Sequence, residues 1–364
     1  MNRFFPEIKG KLGFGLMRLP MIDDKVDFEQ TSRMVDSFLE AGLNYFDTAH
    51  PYIQGQSEEA VAKCLSSRYP REKFLLANKL TPRMFQTKDE VLPLIELQLK
   101  TCGVEYFDFF LMHAMDKNSY QSFKEMGIFP MMQRLKEQGR LRHVGMSFHD
   151  TADVLDMILT EQPQLEFVQL QFNYADYNDP KVQSRACYDV CVKHGKPVMV
   201  MEPVKGGSLA DLPADVKAMM PSGSPASYAV RFAASHEQVA VVLSGMSNTE
   251  QMEDNLSYMK DFKPLTEAET ETIDRVRTVY QALHKVPCTA CRYCTDGCPA
   301  GIPIPDVFAC MNRLAAGEGD PKADYAALDV KADACVGCGQ CEKVCPQHLH
   351  IPQLLKEAVR KFAE

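Results

Sequence analysis

A chain of 364 residues is long enough for one large domain and one small one. Its hydrophobic share of 45% and charged share of 24% are ordinary for a folded protein, and a net charge of −9 argues against nucleic acid as a partner. The first residues, Met-Asn-Arg-Phe-Phe-Pro, carry no apolar core or small-residue cleavage site, and no apolar stretch approaches the roughly 20 residues that span a bilayer, so a cytoplasmic protein with no membrane contact is expected.

Eight short apolar runs, rich in β-branched and aromatic residues, alternate with amphipathic segments over the first 260 residues. The runs are Leu12–Leu19, Leu43–Thr48, Phe74–Leu80, Phe107–His113, His143–Phe148, Phe167–Asn173, Pro197–Pro203 and Val239–Gly245. Near-continuous apolar character suits strands buried on both faces of a parallel sheet. Between them, apolar spacing near 3.6 predicts helices over Phe28–Ala41, Lys88–Cys102, Phe129–Gln138, Ala152–Thr160, Lys181–His194, Pro225–Ser235 and Thr249–Lys260. Ser57, with Glu58 and Glu59, reads as the N-cap of another. Eight such units predict a (β/α)8 barrel of the TIM type. The rival, a doubly wound open sheet, calls for a G-x-G-x-x-G turn, and Gly13-Phe14-Gly15 lacks the third glycine. Leu265–Leu283 is expected to be a helix linking the barrel (1–284) to a small, mainly helical domain (285–364). Helices are expected there over Asp306–Leu314 and Gln353–Phe362, with Gly317–Ala332 a loop. Met115–Ile128 and Leu209–Ser224, in the barrel, read as substrate loops without a chemical signature.

The small domain carries one cysteine pattern twice. Cys288, Cys291, Cys294 and Cys298 precede Pro299; Cys335, Cys338, Cys341 and Cys345 precede Pro346. A shift of 47 superposes the two sets and carries Ile304-Pro305 onto Ile351-Pro352. C-x2-C-x2-C-x3-C-P is the run that holds [4Fe–4S] clusters in bacterial ferredoxins, with the fourth cysteine ligating the other cluster, so the small domain (285–364) is expected to be ferredoxin-like. The expected sets are therefore Cys288, Cys291, Cys294 and Cys345, and Cys335, Cys338, Cys341 and Cys298. Zinc usually takes two CxxC pairs with a longer gap, and disulfides need an oxidising compartment. Cys64, Cys102, Cys187, Cys191 and Cys310 lie in apolar or helical contexts and read as packing residues.

Catalytic groups of a (β/α)8 barrel sit at the C-terminal ends of its strands. There the second run ends at Asp47 with Tyr52 just beyond, the third at Lys79 and the fourth at His113. A carbonyl that receives hydride needs a proton. A phenol of pKa near 10 gives it slowly, and a nearby ammonium lowers that pKa. Asp47 would hold Lys79 in place, and His113 would bond the substrate oxygen. Phe46-Asp47-Thr48-Ala49 with Tyr52, Lys79 and Asp108 through His113 resembles the catalytic tetrad of the aldo-keto reductase superfamily; Asn44–Glu59 is especially similar to its signature. With the cysteine runs, the whole chain resembles the ferredoxin-fused branch.

The resemblance implies a nicotinamide cofactor across the barrel mouth, usually NADP(H). Ser147 and Gln169 match its carboxamide contacts, with Phe148 where the family has Asn. Met201 stands where a tyrosine often stacks on the ring, and Gly206 and Gly207 lie in a loop similar to the one crossing the pyrophosphate. Gly245, Ser247, Gln251, Asp254 and Asn255 belong to the adenosine-side loop, where no Arg or Lys near Met246 or Ser247 would pair with a 2′-phosphate. The choice between NADP(H) and NAD(H) stays open.

The leading expectation is an oxidoreductase that interconverts a small carbonyl and an alcohol and carries two [4Fe–4S] clusters. Hydride moves electrons as a pair, a cluster moves one, and no flavin motif mediates. The clusters could serve the barrel site, a redox partner protein, or structure alone. The rival expectation is an electron-transfer or regulatory subunit whose barrel does not turn over nicotinamide.

Overall fold

The computed structural model describes residues 2–282 and 286–363. The expected domain boundary at 284/285, and Leu283 at the end of the linking helix, lie outside the described residues.

All eight runs form strands: β1 (Leu12–Gly15), β2 (Tyr45–Asp47), β3 (Leu75–Leu80), β4 (Phe107–Met115), β5 (Leu141–Phe148), β6 (Val168–Gln171), β7 (Val198–Met201) and β8 (Val239–Ser244). They pair in parallel, each with its sequence neighbours, and β8 returns to β1 to close a barrel. Closure brings Gly13 of β1 against its neighbour: a Cβ there would meet Leu243 at 2.7 Å and Val241 at 2.8 Å. Tyr45, Phe109, Leu111, Phe167 and Met199 fill the interior with the N-terminal Phe5. The Phe5 ring packs edge-on to Phe109 at 5.1 Å, and Asn2 Nδ2 donates to Ala240 O at 2.8 Å. This plug seals the end where the strands begin, so the opposite mouth is the open one.

The expected helices are present, with ends shifted by a residue or a few. Phe28–Glu40 is capped by Asp27, whose side chain accepts from the Glu29 and Gln30 N–H groups. Four local readings need correction. Ala214–Lys217 is a short helix inside the expected loop Leu209–Ser224. Ser57 is no cap: Gly55, at φ +90°, precedes the helix Gln56–Ala60, and the buried Ser57 Oγ donates to Leu16 O at 2.9 Å. Lys117–Glu125 is a helix inside the expected loop Met115–Ile128, started by reciprocal Asp116 and Ser119 side-chain bonds. Pro321–Ala326 forms a helix inside the expected loop Gly317–Ala332.

Residues 286–363 form a second core, where Ile302, Val307 and Phe308 meet Ile351, Leu355 and Ala358. Its helices Ile304–Ala316 and Ile351–Ala363 each begin with the repeated Ile-Pro pair, which suits proline's place in a first helical turn. Tyr325 stacks on Phe362 at 4.1 Å. Among the described residues, no helix is long and apolar enough to cross a membrane.

Candidate active site

The open mouth gathers the four expected residues. Parallel pairing in register sets Asp47 beside Ala77, so Lys79 stands just past the end of β2. Lys79 Nζ donates to Asp47 Oδ1 at 2.6 Å and to Thr48 O at 2.8 Å, with Lys79 0% and Asp47 2% exposed. The same ammonium lies 4.9 Å from the centroid of the Tyr52 ring. Tyr52 and His113 meet edge to face at 6.1 Å. His113 Nδ1 is 2.7 Å from Thr81 Oγ1, which fixes the imidazole and turns its other nitrogen free of that bond. A strained loop presents Tyr52: Ile53 and Gln54 both have positive φ, at 51° and 55°.

Burial dominates the electrostatics. It drives the His113 imidazole well below its usual range, helped by the Lys79 charge, so His113 is neutral. It raises the Asp47 carboxyl and lowers the Lys79 ammonium, and their contact opposes both changes. The Tyr52 phenol goes well above its usual range, through burial first and then through Tyr293, Asp47 and Glu202. The expectation that Lys79 lowers this pKa is therefore not met. The ammonium's charge is committed to Asp47, and desolvation outweighs it.

A cleft of about 640 Å³ runs from this point across the mouth. Asp47, Tyr52 and His113 line it, while Lys79 is fully buried. Gln169, Met201, Gly206, Gly207, Gly245, Ser247, Gln251, Asp254 and Asn255 line the same cleft. Ser147 is placed otherwise: it is buried, and its Oγ accepts the Ala114 N–H at 2.8 Å. Among the described residues, three buried oxygens on the lining have no partner: Asp47 Oδ2, whose sister oxygen Lys79 holds, and Gln169 Oε1 and Asn255 Oδ1. An amide donor and an aromatic amine would satisfy the last two, so the residues fit a nicotinamide dinucleotide. Among the described residues, Arg18 is the one Arg or Lys side chain on the lining, against Asp47, Glu202, Asp211, Glu250 and Asp254.

Sequence reasoning missed the wall that the cysteine domain contributes. Cys291, Tyr293, Pro346 and Gln347 line the same cleft. Gln171 and Gln347 exchange side-chain hydrogen bonds at 3.1 and 2.8 Å, and Arg18 donates to Thr289 O at 2.5 Å. Gly206, which lines the cleft, also admits this segment: a Cβ there would meet Thr289 O at 2.5 Å. No spacing rule pairs residues so far apart in sequence. Lys205 and Asp176 form a buried ion pair behind the loop, with Gln171 and Asn173 bonding the same carboxylate.

The eight cysteines ring two small voids. Cys288, Cys291, Cys294 and Cys345 line one; Cys298, Cys335, Cys338 and Cys341 line the other. Each grouping takes three cysteines from one run and the fourth from the other. Among the described residues, no three His, Cys, Asp or Glu side chains come close enough to share one metal ion. Thiolates spread round a void fit the corners of a cube. Of the remaining cysteines, Cys64, Cys102, Cys187, Cys191 and Cys310 are all buried.

Comparison with known proteins agrees with this division. Residues 11–278 match the model of the aldo/keto reductase family, and residues 287–350 match a 4Fe-4S dicluster domain. An aldo-keto reductase of Mycolicibacterium smegmatis is 30% identical over 139 residues, which are 38% of this chain and 45% of that protein. A 9,11-endoperoxide prostaglandin H2 reductase of Trypanosoma cruzi is 24% identical over 273 residues, 73% of this chain and 87% of that one. The structure of a Klebsiella pneumoniae aldo-keto reductase in complex with NADPH superposes with a TM-score of 0.60 at 20% identity, over 73% of this chain and 90% of that one; at that identity the likeness bears on the fold alone. The chain belongs to the aldo/keto reductase family and carries a 4Fe-4S dicluster domain after its barrel.

Proposed function

We propose that the chain is a cytoplasmic, nicotinamide-dependent oxidoreductase interconverting a small carbonyl and an alcohol. Its small domain, from residue 285 on, would hold two [4Fe–4S] clusters on the eight cysteines. One observation supports this above the rest: the Asp47–Lys79 pair, Tyr52 and His113 converge at one end of a cleft that also holds the unpartnered Gln169 and Asn255 oxygens. A bound nicotinamide supplies or accepts the hydride. The Tyr52 phenol, kept protonated by its burial, gives the proton to the developing alkoxide. Neutral His113, with Nδ1 engaged by Thr81, donates from Nε2 to the carbonyl oxygen and favours the charge that builds there. The Lys79 ammonium, held by Asp47, stabilises the phenolate left behind.

Glu250 and Asp254 line the cleft, and the one Arg or Lys side chain on that lining among the described residues, Arg18, is held by Thr289 O, which favours a ribose hydroxyl over a 2′-phosphate. NAD(H) is the better fit. The barrel that does not turn over nicotinamide is favoured by one feature, the Ser147 hydroxyl committed to Ala114. The test is NADH oxidation by anaerobically prepared protein with a panel of aldehydes and ketones, beside iron and sulfide analysis. Turnover lost in Tyr52→Phe supports the enzyme. Unchanged turnover in that variant, or iron replaced by zinc, refutes the assignment.

A further inference from the structure

Tyr293 lies inside the first cysteine run, between Cys291 and Cys294, where the ligand spacing asks for no aromatic residue. Its ring stands 6.5 Å from the His113 imidazole at 84°, and His113 stands 6.1 Å from Tyr52 at 77°. These are edge-to-face contacts between groups of fixed orientation. The Arg83 guanidinium, from the loop after β3, sits 4.9 Å from the Tyr293 ring centre and reaches Asp296 at 3.6 Å. The cysteine domain is tied to the barrel both within this run, at Thr289, and just after Cys345 of the same set, at Gln347. Thr289 is held by Arg18 and packed on Gly206, and Gln347 is paired with Gln171.

The two cysteine sets are not equivalent. Cys291, of the first set, lines the cleft with Tyr52 and His113. The second set includes the exposed Cys338, beside Val336 at 71% exposure. We propose that Tyr293 is a positioning residue of the carbonyl site, through which the first cysteine set, and not the second, is coupled to His113 and Tyr52. This rests on the reading that the eight cysteines hold two clusters. The coupling is reciprocal: if the charge on the first set bears on the tetrad, a change at His113 bears equally on how readily the first set takes an electron.

The test is a potentiometric titration of anaerobically prepared protein, followed by paramagnetic resonance, with no nicotinamide present. The first set's signal is identified as the one that survives in Cys298→Ala. Iron is measured first; a content far from about eight per chain overturns the two-cluster reading, and this proposal with it. In His113→Gln, and in the milder Thr81→Val, the midpoint potential of the first signal should shift and that of the second should not. Tyr293→Ala should abolish that sensitivity, so the double variant titrates like Tyr293→Ala alone. Tyr293→Phe, which keeps the ring, should restore it. A shift that persists undiminished without the ring, a shift confined to the second signal, or no shift in either barrel variant overturns the coupling.

Discussion

At the scale of the residue, the proposed chemistry rests on Tyr52 as proton donor. Tyr52→Phe keeps the ring and removes the hydroxyl, so carbonyl reduction should fall about 10²- to 10⁴-fold while NADH affinity is unchanged. Steady-state kinetics beside an equilibrium titration checks both halves. Lys79→Met should be at least as damaging, and it also leaves the Asp47 carboxylate buried without its partner, so a lower melting temperature should accompany it. Asp47, Tyr52, Lys79 and His113 were legible in the sequence because strand ends in a (β/α)8 barrel all point to one mouth. Tyr293 was not legible: the spacing around it speaks only of ligands, and its neighbours His113 and Arg83 come from the barrel. The raised pKa of Tyr52 was missed for a related reason, since desolvation depends on what covers the ring and not on which charges lie nearby in sequence.

At the scale of the element, the repeated cysteine run predicts crossed ligation. Cys298→Ala should damage the cluster of Cys335, Cys338 and Cys341, and Cys345→Ala that of Cys288, Cys291 and Cys294. Paramagnetic resonance of each variant decides; damage confined to the adjacent run in either one would refute the crossing. Loss of either linking cysteine should also open the small domain to proteolysis, because metal binding and folding are linked there. Gly206→Ala offers a second probe of the same region. The added Cβ would lie 2.5 Å from Thr289 O at a φ of +65°, so the cysteine domain should become protease-sensitive although no cysteine is touched. The helix at Lys117–Glu125 shows where element reading failed: its polar face hid the periodicity, and only the Asp116 and Ser119 pairing marks its start. Asp116→Ala should lower stability by about 0.5–2 kcal/mol, read from denaturant unfolding.

At the scale of the molecule, the closed end of the barrel carries a charge cluster that ties its stability to pH. His143 bonds Glu166 at 2.9 Å and Glu7 at 2.7 Å, and Lys136 bonds Glu166 at 2.6 Å. Burial opposes charge on both His143 and Glu166, but these bonds win, so His143 is raised above 6.5 and Glu166 is lowered to about 2. The His143 contribution is therefore complete below pH 6.5 and fades as pH rises through its folded value. The Glu166 contribution is present above pH 4.5 and fades as pH falls through about 2. His143→Gln should destabilise the protein more at mildly acid pH than at alkaline pH, by denaturant unfolding at each; an equal loss at both would contradict the assignment. Eight short strand runs alternating with helical segments made the barrel readable from sequence. The docking of the cysteine domain on the mouth was not readable, because single contacts such as Arg18 to Thr289 and Gln171 to Gln347 carry no periodic signal.

The central claim is that the cleft takes a nicotinamide dinucleotide. It is tested most directly by titrating anaerobically prepared protein with NADH and with NADPH, following nicotinamide fluorescence. Saturable binding of NADH is predicted, weaker binding of NADPH because the acids Glu250 and Asp254 line the cleft, and weakened binding of NADH in Gln169→Ala because the ligand loses the Gln169 Oε1 acceptor. No saturable binding of either nucleotide would contradict the account.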